Sequence, residues 1–220
     1  MPTTFEQRQQ AAEAALREAR IMPVLTVDSV DQGLGAVKAL AEGGLRTIEL
    51  VLRTPASLDA LAAIKDAFPD LKVGAGTVLA PAQVDAVEEL GADFIVTPGF
   101  SPHLLDALVE SSLPAVPGAA TPGELLTLAE RGFRVAKLFP AASLGGPDYL
   151  KAIAGPLPAM KLCANGGIDQ ASAADYLALP NVLCVGGSWM VPRDWLAASA
   201  WDKVAASARS AAGLAAAGEG

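Results

Sequence analysis

Eight short segments rich in apolar and β-branched residues recur along the chain, and an Ala/Leu-rich stretch of helical periodicity follows almost every one. The apolar segments are residues 21–27, 47–52, 72–76, 94–97, 115–117, 134–139, 161–164 and 182–186. Their starts lie 26, 25, 22, 21, 19, 27 and 21 residues apart. Several are continuous apolar runs, as expected for strands buried on both faces of a parallel sheet. The intervening stretches carry helix-start chemistry. Ser101-Pro102 reads as an N-cap with proline in the first turn. Thr121 and Glu124 read as a capping box, and Ser172 with Asp175 as another. Eight strand–helix units in one domain predict a closed (β/α)8 TIM barrel rather than an open doubly wound sheet. The polar residues agree. An open sheet gathers them at one switch point, whereas here Glu49 and Arg53, Thr77, Pro98-Gly99, Lys137, Asn165-Gly166-Gly167 and Gly186-Gly187-Ser188 stand at or near the ends of six strands. One domain is expected over 1–220, with an extra N-terminal helix at about 5–19, the barrel at about 21–206 and a frayed tail at about 212–220.

Composition narrows the function. With 52% hydrophobic residues and a mean hydropathy of +0.37, the 220-residue chain has the apolar mass for a large core and is not a disordered segment. A net charge of −8 disfavours nucleic-acid partners but not a small anion, since local donors outweigh distant charge. One histidine, His103, rules out a site needing two or three imidazoles. That histidine reads as a surface residue in the first turn of a helix. Two cysteines, Cys163 and Cys184, read as buried reduced thiols. Trp189, Trp195 and Trp201 read as packing and interface residues, not a cofactor box. No signal peptide or membrane span is legible, so a cytoplasmic protein is expected.

Lys137 lies inside the apolar run Val135-Ala136-Lys137-Leu138-Phe139. Either its stem packs and its head reaches water, or it stays buried. A buried amine favours its neutral form, which can attack a carbonyl and form a Schiff base. Lys72 and Lys161 begin their strands instead and read as ordinary surface lysines. Glu49 and Arg53 share a face while their segment stays extended. They are either a proton shuttle and an oxyanion clamp, or a structural pair at the rim. Gly166-Gly167 and Gly187-Ser188 follow the seventh and eighth strands, the recurrent phosphate site of this barrel class. Thr77 offers a hydroxyl either to a carboxylate or to a helix cap. An amine, a carboxylate and a phosphate cradle in one barrel mouth point to carbonyl chemistry on a sugar phosphate.

These segments are also familiar as a set. Ile48-Glu49 with Leu52-Arg53-Thr54, Val73-Gly74-Ala75-Gly76-Thr77-Val78-Leu79, Thr97-Pro98-Gly99-Phe100, Lys137-Leu138-Phe139-Pro140-Ala141, Gly166-Gly167-Ile168 and Cys184-Val185-Gly186-Gly187-Ser188-Trp189 resemble the 2-keto-3-deoxy-6-phosphogluconate (KDPG) / 4-hydroxy-2-oxoglutarate (KHG) aldolase family. The resemblance runs from about residue 21 to 195. It implies a class I aldolase without metal or other cofactor, a homotrimer with a small-molecule substrate, cleaving KDPG to pyruvate and glyceraldehyde 3-phosphate. By matching position it implies Lys137 as the Schiff-base lysine and Glu49 as the acid/base. Arg53 and Thr77 would hold the pyruvyl carboxylate, Pro98 and Phe139 would line the pocket, and Gly166, Gly167, Gly187 and Ser188 would hold the phosphate. Asn165 stands where KDPG-cleaving members typically carry Thr. This departure leaves the C4 epimer open, with the galactonate epimer as the alternative substrate. A sugar-phosphate isomerase or epimerase, with Glu49 as base and no covalent intermediate, is the other reading of the residues, and a non-catalytic phosphate-binding barrel a third.

Overall fold

The computed structural model describes residues 3–217. Nine short parallel strands form one sheet: β1 (Ile21–Leu25), β2 (Thr47–Val51), β3 (Lys72–Gly76), β4 (Ile95–Val96), β5 (Ala115–Val116), β6 (Gly118–Ala119), β7 (Val135–Leu138), β8 (Lys161–Asn165) and β9 (Val182–Gly187). Their order is β5-β4-β3-β2-β1-β9-β8-β7-β6. The two ends of that order, β5 and β6, are consecutive in the chain, so the sheet closes on itself. They are one barrel strand interrupted at Pro117, which has no N–H to give a ladder. The expected eight-strand barrel is therefore present, with its fifth strand in two pieces. On one side β5 pairs with β4, and on the other β6 pairs with β7.

The helices α1 (Phe5–Ala19), α2 (Val30–Glu42), α3 (Ser57–Ala67), α4 (Pro81–Glu89), α5 (Pro102–Glu110), α6 (Pro122–Glu130), α7 (Gly146–Ala154), α8 (Ala173–Leu177), α9 (Arg193–Ala197) and α10 (Trp201–Ala217) lie outside the barrel. Buried side chains between helices and strands, among them Leu40, Ile48, Leu61, Ile64, Leu108, Leu125 and Leu128, form one continuous shell. A second, smaller cluster fills the barrel interior: Met22, Phe94, Val96, Val116, Val135, Cys163 and Cys184. The N-terminal helix α1 (Phe5–Ala19) lies where expected and lays Ala12 and Leu16 on that inner cluster. Its Gln9 is fully buried, donating to the Ala115 carbonyl and accepting from the Arg134 amide. Thus α1 plugs the N-terminal mouth of the barrel, and access to the interior is left to the other end.

The caps behave largely as read. Ser101 accepts from the Leu104 amide at the start of α5 (Pro102–Glu110). Ser172 does not pair with Asp175. It pairs backwards with Asp169 instead: its hydroxyl accepts from the Asp169 amide, and its own amide donates to the Asp169 carboxylate. The hydroxyl also donates to that carboxylate, and the two bonds donated by the Ser172 hydroxyl and amide hold the Asp169 carboxyl below its usual range. The box is shifted by three residues because the chain turns at Asp169, one turn before α8 (Ala173–Leu177). The last helix, α10 (Trp201–Ala217), continues through Gly213 to Ala217, where the composition suggested fraying. Residues 218–220 of that expected tail lie outside the described residues. Among the described residues no helix is long and apolar enough to cross a membrane.

The capping box of α6 (Pro122–Glu130) gives a pH prediction. The Ala120 and Thr121 amides both donate to Glu124. The Ala120 bond is the main cause of a Glu124 carboxyl held below its ordinary 4.5, opposed by partial burial and helped by Thr121. A carboxyl lowered on folding stabilises the fold above its unfolded value and loses that contribution as pH falls through the folded value. In thermal unfolding across pH, wild type is expected to exceed Glu124→Gln above 4.5, and the gap is expected to close in acid.

Candidate active site

The open mouth of the barrel carries an ion pair at its floor. Lys137 Nζ donates to Glu49 Oε1 at 3.1 Å. Lys137 is 3% exposed and Glu49 0%, so the lysine is buried rather than extended to solvent. Lys72 reaches Glu18 and Lys161 the Pro180 carbonyl, both from half-buried positions at the rim, as strand-starting lysines should. Glu49 sits on β2 and Lys137 on β7, with β1, β9 and β8 between them in the sheet. Only a closed barrel lets them touch. The reading of Glu49 and Arg53 as a structural pair is thereby corrected: Glu49 meets Lys137 across the interior. Arg53, exposed beyond the end of β2, turns instead to Thr77, with Nε donating to Oγ1 at 3.0 Å.

Local backbone makes room for this pair. Gly76, beside Val51 on the neighbouring strand, lies against the Glu49 carboxylate, and a Cβ there would stand 2.2 Å from Oε1. The second carboxylate oxygen, Oε2, is buried with no hydrogen-bond partner among the described residues. Immediately after Gly76, Thr77 adopts φ +56°, a left-handed conformation unusual for a β-branched residue. That turn aims its hydroxyl at Arg53, and strain of this kind gathers at functional sites.

Above the pair opens a cleft of about 130 Å³. It is lined by Arg53, Lys137, Phe139, Asn165, Gly166, Gly167, Gly187 and Ser188, eight of the residues singled out from sequence, and by Val24, Ile168 and Gly186. Val24 and Ile168 were not anticipated, since nothing local marks an apolar residue as facing a cleft. Lys137 Nζ also lies 5.5 Å from the centre of the Phe139 ring. Gly166 and Gly167 take φ +96° and +74°. A Cβ on Gly166 would press on the Phe139 ring at 3.1 Å, so the loop needs glycine both for its turn and for its closeness to the aromatic wall. Asn165, 3% exposed, ends β8 between Lys137 and this loop. Thr77 and Pro98 are not among the cleft-lining residues. Thr77 borders it through Arg53, and Pro98, after β4, packs its carbonyl against Gly118. A wider hollow of about 280 Å³ lies near the strand starts, beside Arg20, Arg46 and α10, away from the ion pair.

The other singled-out side chains stay outside the cleft. His103 is exposed on the first turn of α5. Trp189, Trp195 and Trp201 are half-buried, and Trp201 closes over Gly35. Cys163 and Cys184 are free buried thiols on neighbouring strands.

A closed parallel barrel with a buried amine–carboxylate pair under a glycine-rich mouth is the architecture of a (β/α)8-barrel enzyme whose site lies at the strand C-termini. Comparison with known proteins gives the kind of enzyme. The family model "KDPG and KHG aldolase" matches residues 12–207. The 2-dehydro-3-deoxy-phosphogluconate aldolase of Pseudomonas aeruginosa is 43% identical over 207 residues, 94% of each chain. The crystal structure of the Legionella pneumophila KDPG aldolase, with pyruvate captured as a covalent carbinolamine, superposes with a TM-score of 0.88 at 38% identity, covering 90% of this chain and 96% of that one. That of the Zymomonas mobilis enzyme with 3-phosphoglycerate gives 0.87 at 35%, covering 94% and 97%. The chain belongs to the KDPG and KHG aldolase family, which makes it a carbon–carbon lyase rather than an isomerase.

Proposed function

We propose that this protein cleaves KDPG reversibly to pyruvate and glyceraldehyde 3-phosphate through a Schiff base on Lys137, and accepts KHG as a second substrate. The observation that carries this reading is the Lys137–Glu49 contact at the floor of the cleft: an amine and a proton carrier within one hydrogen bond, shielded from bulk water. Lys137 adds to the C2 ketone and expels water, giving an iminium. Glu49 moves the protons of that step and then takes the C4 hydroxyl proton. The C3–C4 bond breaks, its electrons flow into the iminium, and the aldehyde leaves. The enamine is protonated at C3, and water releases pyruvate and the free amine.

Arg53 and Thr77 hold the pyruvyl carboxylate. Phe139 and Pro98 bound the pocket, and the amides of Gly166, Gly167, Gly187 and Ser188 hold the phosphate, distant binding that positions the reacting bond. The Zymomonas mobilis structure, with its phosphorylated three-carbon acid, supports a phosphorylated small-molecule substrate. A cytoplasmic homotrimer is part of the proposal. Light scattering is expected to give three times the chain mass of 22.3 kDa. Pyruvate released from KDPG and from its C4 epimer, followed through a coupled lactate dehydrogenase, tests the reaction. Release from KDPG is expected, and none from either epimer or from KHG would overturn the assignment.

A further inference from the structure

We propose that Cys163 is a positioning residue: its thiol fixes the Asn165 amide so that the N–H groups face the hydroxyl-bearing middle of the substrate. This rests on the aldolase reading above. Cys163 Sγ donates to Asn165 Oδ1 at 3.1 Å, both groups buried on the inner face of β8. With Oδ1 taken, the amide presents Nδ2, and among the described residues no acceptor is paired with it. Asn165 nevertheless lines the cleft. It stands between Lys137, whose strand neighbour is Cys163, and the Gly166-Gly167 loop. A donor there meets neither the ketone nor the phosphate but the carbons between them.

The backbone is arranged for this contact. The register between β8 and β9 slips between Leu162 and Cys163. Leu162 pairs with Val182, yet Cys163 pairs with Cys184 and Asn165 with Gly186. Without the slip, Leu183 and Val185 would hold those places. Bulges commonly re-aim side chains beside active sites. Here the slip puts a glycine under the amide, where a Cβ would stand 2.1 Å from Nδ2. It also sets a second thiol beside the first. Burial, then the contact with Cys163, then the charge of Glu49 push the Cys184 thiol well up, so Cys184 stays protonated. The Cys184 thiol donates to the Val185 carbonyl at 3.6 Å, which leaves the Cys163 thiol to donate to Asn165.

A double-mutant cycle tests the inference, using Cys163→Ala, Asn165→Ala and the pair, with Cys163→Ser as the conservative variant. Losing one hydrogen bond is expected to raise KM for KDPG about three- to ten-fold in Cys163→Ala. Cys163→Ser is expected to stay within about two-fold of wild type, and the double variant to match Asn165→Ala. Borohydride trapping of pyruvate on Lys137 is expected to persist in all four. If Cys163→Ala does not fold, Cys163→Val, which fills the space without a donor, replaces it. In the infrared, the S–H stretch lost in Cys163→Ser is expected to shift toward that of a free thiol in Asn165→Ala. Independent, multiplying effects of the two substitutions, or an S–H band indifferent to Asn165, overturn the positioning role alone. A wild type that neither traps pyruvate nor cleaves KDPG overturns the aldolase reading, and this role with it.

Discussion

Replacing Lys137 by methionine is expected to lower kcat/KM for KDPG cleavage by at least about 10⁴-fold, the scale seen when a covalent nucleophile is removed. Methionine keeps the unbranched stem that packs inside β7 but brings no amine. Among the described residues the same substitution leaves Glu49 without a hydrogen-bond partner, because Oε2 already has none there. Removing one member of a buried ion pair costs about 3–5 kcal/mol, whereas replacing both is often neutral. Lys137→Met is therefore expected to unfold at lower temperature than wild type, and Lys137→Met with Glu49→Gln at higher temperature than Lys137→Met alone. A Lys137→Met enzyme within ten-fold of wild type would remove the covalent mechanism.

Glu49→Gln separates two roles of the same contact. Glutamine keeps the shape and an oxygen for the Lys137 amine, so a carboxylate that only braces the lysine is dispensable. A carboxylate that carries protons is not, and losing such a group costs about 10²–10⁴ in rate. A fall of that size in kcat, with pyruvate still trapped on Lys137 although more slowly, is expected in steady-state and quench assays. A kcat within a factor of about three of wild type would make Glu49 a structural partner only, since such a loss falls far short of general acid–base catalysis.

Much of this site is legible in the chain because barrel strands repeat a simple local pattern. Lys137 differs from Lys72 and Lys161 in its place along the strand: in the middle of an apolar run rather than at its start. Burial follows that difference. The glycine pairs at the ends of the last two strands, one following β8 and the other closing β9, are legible for the same reason, since they stand at fixed points of a recurring unit. What escaped the sequence depends on closure and register. Nothing local says that Glu49 will find Lys137 across the interior rather than Arg53 four residues along its own segment. Gly76 reads as a strand end, yet it is required by a carboxylate on the neighbouring strand. Pro117 reads as the end of a strand and instead divides one. The left-handed turn at Thr77 and the slip between β8 and β9 are set by packing against neighbours, and no periodicity announces either.

The claim on which the rest depends is that Lys137 forms an imine with the substrate's ketone. The direct measurement is to incubate the protein with pyruvate, reduce with borohydride, and locate the modified residue by peptide mass spectrometry. A reduced pyruvyl adduct is expected on Lys137, absent when pyruvate is omitted and absent in Lys137→Met. No adduct on folded protein, or an adduct confined to Lys72, Lys161 or any lysine other than Lys137, would contradict it.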